Sequence, residues 1–331
     1  MIATLPPRLR AGDTVRVIAP ARSRAMIMEH DNTGPINGRF AEMGLRLTFG
    51  DHVDEDDRFR SSSIASRVAD LHAAFADDSV QAVLTVIGGF NSNELLPYLD
   101  WELIGSHPKV LCGYSDITAL SNAILRRTNL VSYSGPHWSS FGMRDHFEPT
   151  GDWFRAAVMS ENPIVLTPAT QWTDDPWFAD QDQRNPIDNE GWWPLQPGRA
   201  SGPIVGGNLC TLNLLQGTPY LPSLDGALLF LEDDYLTNPV EWARNLTSLL
   251  QLPDADGITG MVIGRFQRSS EMTRPILAEI ARRQPALVDK PVIAGLDFGH
   301  TSPMITFPIG GEATIEVADS AAESSVTITR H

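Results

Sequence analysis

The chain of 331 residues carries 25 Lys and Arg against 41 Asp and Glu, a formal charge of −16, which argues against nucleic acid or an anionic membrane surface as partner. With 42% hydrophobic and 20% charged residues it has the makeup of a globular protein, long enough for one large or two medium domains. Its opening, MIATLPPRLRAGDTVRVIAPA, lacks a long apolar run and no later stretch reaches bilayer length, so the expected location is the cytoplasm.

In chain order, TVRVIAPA reads as a strand, INGRFAEMGLRL as a helix, and SSSIASRVADLHAAFADD as a helix with serine at its cap. VQAVLTVIGG and KVLCGY are further strands, the second followed by the helical pattern DITALSNAILRR. This alternation predicts a parallel sheet with helices on both faces, whose sites gather at the carboxyl ends of strands. Gly88-Gly89 and Gly113-Tyr114-Ser115 mark two such ends. From about residue 163 to 200 neither periodicity holds, and the stretch is rich in Asp, Pro and tryptophan: Trp172, Trp177, Trp192 and Trp193. A loop of this length is functional or disordered, and the aromatics argue against disorder.

Beyond it come SGPIVGGNLCTLNLLQG, a strand GALLFLEDD, a helix NPVEWARNLTSLLQL, a strand GITGMVIGRF, a helix RPILAEIARRQ, and strands around PVIAGLDFGH and MITFPIGGEATIEV. The expected fold class is α/β. An N-terminal parallel-sheet α/β domain spans 1–165, an aromatic-rich linker 166–200, and a mixed α/β domain 201–331. Cys112 and Cys210, both in apolar segments, form neither a disulfide framework nor a metal knuckle and are expected to be reduced packing residues.

Ser115 stands where a core strand turns sharply into a helix, a position that presents a hydroxyl at the sheet edge beside free helix N–H groups. That suits a nucleophile, with the Asp116 amide and the Gly88-Gly89 turn as oxyanion donors. GYSD lacks the second glycine of G-x-S-x-G, so a serine that caps the helix is the competing reading. A serine needs a base and an orienting acid. Among the histidines, His300 follows an apolar strand beside Gly299, whereas His30, His52 and His146 lie in charged surroundings. Glu232 ends an apolar strand, where a carboxylate faces either a site or, with Asp233 and Asp234, a solvated turn. No HExxH or clustered Cys/His set is present, so neither metal nor cofactor is expected.

The motifs IGGFNSNELLPYLD, GYSDITAL, GGNLCTLNLLQGTPYLP, LFLEDD and GHTSPMITFPIGG, in this order over nearly the whole chain, resemble the LD-carboxypeptidase family of serine peptidases. The resemblance implies an active site at the domain interface, often in a homodimer, with a triad of Ser115, Glu232 and His300 and an oxyanion hole from the amides of Gly88 and Asp116. The long aromatic loop and the IGGFNSN and GHTSPMITFPIG motifs are similar to the branch of microcin C self-immunity proteins. That branch cleaves the amide between an aminoacyl group and a sulfamoyl or phosphoramidate adenosine. The other branch trims terminal D-alanine from murein tetrapeptides.

The nucleotide-like substrate implies an aromatic stacking partner, contributing roughly 1–3 kcal/mol per base, for which Trp177 and Trp192 are candidates. Gly89 and Asn208 are further substrate-binding candidates, and Arg265 and Arg268 offer positive charge toward an anionic group. Each has a plain alternative: a hydrophobic plug, a turn-forming asparagine, a surface charge. A protein that only binds a nucleotide-like ligand, with Ser115 as a cap, is the rival from outside enzymology.

Overall fold

The computed structural model describes residues 2–28 and 33–331, and His30 lies outside them. Within these residues the first sheet has six strands, in the order Phe307–Ile309, Ser132–Ser134, Val110–Cys112, Ala82–Thr85, Thr14–Ile18 and Arg46–Phe49. The five from the first half of the chain run parallel. Their side chains alternate between two apolar layers, as period-two geometry requires. Val15, Val17, Leu84 and Cys112 pack with Ile36 and Phe40 of the helix Thr33–Glu42. Ile18, Val83 and Leu111 face the helices Ile64–Ala76 and Ile117–Thr128. A parallel sheet covered on both faces explains why these strands read as apolar runs. Ser63 caps Ile64–Ala76, its hydroxyl accepting from the Ser66 amide.

The second sheet has eight strands, in the order Ile164–Val165, Ser325–Arg330, Glu312–Val317, Gly198–Asn208, Leu228–Glu232, Gly260–Gly264, Val292–Leu296 and Trp193–Gln196. Its centre is parallel and its flanks antiparallel. The long strand Gly198–Asn208 makes the change of direction possible: it pairs antiparallel with Glu312–Val317 early and parallel with Leu228–Glu232 late. The result is the expected α/β class in two domains. The sheets also exchange edges, since Phe307–Ile309 joins the first and Ile164–Val165 the second.

Three local readings differ from the structure. The helix read through INGRFAEMGLRL stops at Glu42, the chain turns at Gly44 (φ +71°), and Arg46–Phe49 is a strand paired with Thr14–Val17. The 163–200 stretch contains a small hairpin, Gln171–Trp172 with Ile187–Asp188, and the edge strand Trp193–Gln196. Two-residue strands leave no periodic trace. Cys210 is exposed on the short helix Leu209–Asn213, whereas Cys112 is buried, its thiol pushed up by burial alone.

Gly206, at φ +149°, pairs with Phe230 across the two strands that deliver Asn208 and Glu232. A Cβ there would sit inside van der Waals contact with the Phe230 carbonyl oxygen, which is backbone and has no room to yield. Gly206→Ala is therefore expected to lose about 3 kcal/mol or more in a urea titration. Gly217→Ala, also at positive φ but in open space, should lose about 1 kcal/mol. Equal losses would contradict the packing account.

Candidate active site

Ser115 adopts φ +59°, the left-handed conformation that a non-glycine residue occupies only under constraint. The constraint is the turn from Val110–Cys112 into the helix Ile117–Thr128. From this turn Ser115 Oγ lies 3.1 Å from His300 Nε2, and His300 Nδ1 lies 2.8 Å from Glu232 Oε2. With the proton on Nδ1, the imidazole donates to Glu232 and accepts from the serine. The serine comes from the first sheet. Glu232 ends a strand of the second, and His300 follows the strand Val292–Leu296.

Burial pushes the His300 pKa down, but Glu232, by charge and hydrogen bond, outweighs it together with Asp234 and Asp233, so the ring titrates above its ordinary 6.5. Its ring is also 5.2 Å from that of Tyr114, which lies 4.4 Å from the His137 ring at a tilt of 31°. His137 Nδ1 lies 2.7 Å from Thr85 Oγ1, while its Nε2 is buried with no hydrogen-bond partner among the described residues. Burial, helped by the His300 charge, pushes His137 down to about 3. This neutral second histidine escaped the sequence reading. Its position just past the strand Ser132–Ser134, beside the strand that leads to Ser115, was the available signal.

The glycine turn closes over the serine. A Cβ on Gly88 would lie 3.0 Å from Ser115 Cβ, 3.2 Å from its Oγ and 3.5 Å from the Asp116 nitrogen. Among the described residues neither the Gly88 nor the Asp116 amide donates a hydrogen bond. The Asp116 side chain secures this arrangement. Its Oδ2 accepts from the Asn91 and Ser92 amides at 3.0 and 2.9 Å, and its carbonyl accepts from Ser92 Oγ at 2.6 Å. Gly89 packs against Ala21 and Arg22, on the turn's other neighbour.

Asn208 pairs in register with Glu232, is buried, and is tied by its side chain to Asp233 and Thr211. Trp192, expected to offer a stacking face, is 3% exposed within the core and offers none. Trp177 is half-buried against that core, edge-on to Phe178. Neither arginine is free for an anion. Arg265 is buried against Asp297 at 3.0 Å, and Arg268 pairs with Asp174 and Asp175. Paired residues at other loops supply charges that spacing did not reveal. A cavity of about 510 Å³ opens two residues past His300, walled by Trp153, Thr170, Trp172, Pro186, Ser302 and Pro303.

Residues 15–135 match the LD-carboxypeptidase N-terminal domain, and residues 201–315 the LD-carboxypeptidase C-terminal domain. "Putative carboxypeptidase YocD" of Bacillus subtilis is 44% identical over 326 residues, covering 98% of this chain and 99% of that protein. The "Probable murein peptide carboxypeptidase" of the same organism is 30% identical, covering 96% and 93%. The crystal structure of an MccF-like protein from Bacillus anthracis superimposes with a TM-score of 0.97 at 48% identity, covering 99% of this chain and 100% of that one. The microcin C7 self-immunity protein MccF, in complex with aspartyl sulfamoyl adenosine, gives 0.87 at 25% identity and 99% coverage of both chains.

The buried neutral His137 makes the native state sensitive to acid. Its folded pKa lies below the unfolded 6.5, so its contribution is complete above pH 6.5 and fades as pH falls toward 3. Denaturant titrations at pH 7 and pH 5 should differ by about 2 kcal/mol more in the native protein than in His137→Gln. An equal loss in both would contradict the assignment.

Proposed function

Because this chain belongs to the LD-carboxypeptidase family, whose relatives include both MccF and murein peptide carboxypeptidases, we propose that it is a serine amidase with Ser115 as nucleophile, His300 as base and Glu232 as orienting acid. The observation that carries this is the continuous relay Ser115–His300–Glu232 at 3.1 and 2.8 Å, on a serine held at positive φ. His300 takes the hydroxyl proton as Ser115 attacks the carbonyl, and Glu232 fixes the imidazole tautomer and steadies its charge. The Gly88 and Asp116 amides receive the oxyanion, each such donor being worth about 10²- to 10³-fold in rate. His300 then gives its proton to the leaving amine, and water resolves the acyl-enzyme by the same path. No step needs a metal.

The substrate we favour is an aminoacyl group joined by an amide to a sulfamoyl or phosphoramidate adenosine. Support comes from the 48% identity to an MccF-like protein and from a cavity walled by Trp153 and Trp172 together with Ser302 and Pro303, the residues that follow His300 in the chain. Trp172, on that cavity, joins Trp177 as a candidate for stacking on the base, with Gly89 and Asn208 lining the aminoacyl side. The family resemblance supports a homodimer. The 30% identity to a murein peptide carboxypeptidase favours the second reading, release of terminal D-alanine from murein tetrapeptides.

Mass spectrometry of aspartyl and glutamyl sulfamoyl adenosine incubated with the enzyme should show free amino acid, with none from Ser115→Ala. A murein tetrapeptide losing D-alanine while both nucleosides stay intact would select the second reading. The base must be neutral, so activity is expected to fall as pH drops through a midpoint above about 6.5. A flat profile from pH 5 to 8 would contradict His300 as the base.

A further inference from the structure

Two neighbouring strands of the first sheet, Thr14–Ile18 and Ala82–Thr85, end in loops that meet beside the nucleophile. The second loop carries Gly88, whose carbonyl accepts from the Arg22 amide of the first at 3.3 Å. Carbonyls beyond the sheet ladder need other donors, and one buried side chain serves two of them. Arg67, on the helix Ile64–Ala76 and 3% exposed, donates from Nη1 to the Pro20 carbonyl at 3.3 Å and to the Asn91 carbonyl at 3.0 Å, while its Nη2 meets Glu94 Oε2 at 2.6 Å. Ser61 makes a second bridge between the same loops. Its hydroxyl donates to the Ala21 carbonyl at 2.6 Å and accepts from Asn91 Nδ2 at 3.1 Å.

We propose that Arg67 is a positioning residue of the oxyanion hole: it holds Asn91 in place and thereby sets the span between the Gly88 and Asp116 amides. The inference rests on the reading of those two amides as the oxyanion donors. Asn91 is where both lines meet. Gly88 stands three residues before it, and its own amide donates to Asp116 Oδ2 at 3.0 Å, beside that of Ser92 at 2.9 Å. A displaced Asn91 would therefore move both donors, one along the chain and the other through the Asp116 side chain.

The chemistry of the residue fits the task. A guanidinium keeps its charge at every working pH, and one of its nitrogens carries two hydrogens for two carbonyls, so the clamp does not titrate with the triad. Its helix is a rigid base, since Leu71 and Phe75 pack in one apolar layer with Ile18 and Val83 of the two strands. Among the described residues, no hydrogen bond or ion pair of Arg67 reaches Ser115, His300 or Glu232. Its effect falls on the geometry of the hole and not on the proton relay.

Arg67→Met keeps the apolar stem and removes the donors. In turnover of aspartyl sulfamoyl adenosine or, if that is inert, of murein tetrapeptide, kcat should fall about 10- to 100-fold while KM stays within about three-fold. The acid-limb midpoint should not move, because His300 and Glu232 are untouched. Wild-type kcat in the folded variant, a loss carried by KM, or a shifted midpoint would each overturn the proposal. Should Arg67→Met fail to fold, Ser61→Ala carries the same test through the parallel bridge, with kcat down about five-fold at constant KM; an unchanged kcat would overturn it. Glu94→Gln leaves both carbonyl bonds in place and should stay within about two-fold of wild type. A loss there as large as that of Arg67→Met would move the role to the ion pair and overturn the assignment. If Ser115→Ala turns over like wild type, the serine reading itself has failed; if Ser115→Ala is inert and Arg67→Met is as fast as wild type, only the role of Arg67 has.

Discussion

The imidazole of His300 is gripped from two sides, by a serine on one sheet and a glutamate on another, and both contacts are short enough to be hydrogen bonds only while the sheets stay docked. Docking is correspondingly redundant. The chain leaves His300 and within a few residues adds Phe307–Ile309 to the edge of the serine's sheet. The helix behind Ser115 is bound directly to the acid's sheet, with Asn122 Nδ2 donating to the Gly206 carbonyl at 2.8 Å and Thr118 Oγ1 accepting from the Asn208 amide. A shift of either sheet by one residue would break these links and the relay together.

The same docking decides the electrostatics. On an acidic chain, three consecutive carboxyls, Glu232, Asp233 and Asp234, gather behind one histidine. In water such neighbours would matter little; at a buried ring they matter more, and Glu232, at hydrogen-bond distance, leads in holding the imidazole proton affinity above normal. His137, more deeply buried and without a carboxylate partner among the described residues, moves in the opposite direction. Two histidines linked through the Tyr114 ring thus differ in protonation behaviour because only one has an acid at hydrogen-bond distance.

Much of the fold was legible because both strands and helices in the first half bury whole faces, which imprints periodicity on Thr14–Ile18, Ala82–Thr85 and Ile64–Ala76. Ser115 was legible as a turn serine, yet local sequence left cap and nucleophile open, since its partner is 185 residues away and only tertiary contact joins them. Five motifs in order carried the assignment further than any one residue did. What stayed hidden depends on long-range pairing. Arg265 looks like a free surface charge until Asp297 meets it, Trp192 looks available until the core closes over it, and the carboxylate of Asp116 looks like a helix-start acid until the Asn91 and Ser92 amides reach it. The short strands between 163 and 200 are likewise defined by their partners, not by their own residues.

The central claim is that Ser115 is activated by His300 and Glu232. Its most direct test is labelling of the intact enzyme with a fluorophosphonate, followed by peptide mapping. The account predicts one adduct, on Ser115, formed quickly in the native protein and lost in His300→Ala. Labelling that is absent, or that falls on Ser115 at the same rate without the imidazole, would contradict it.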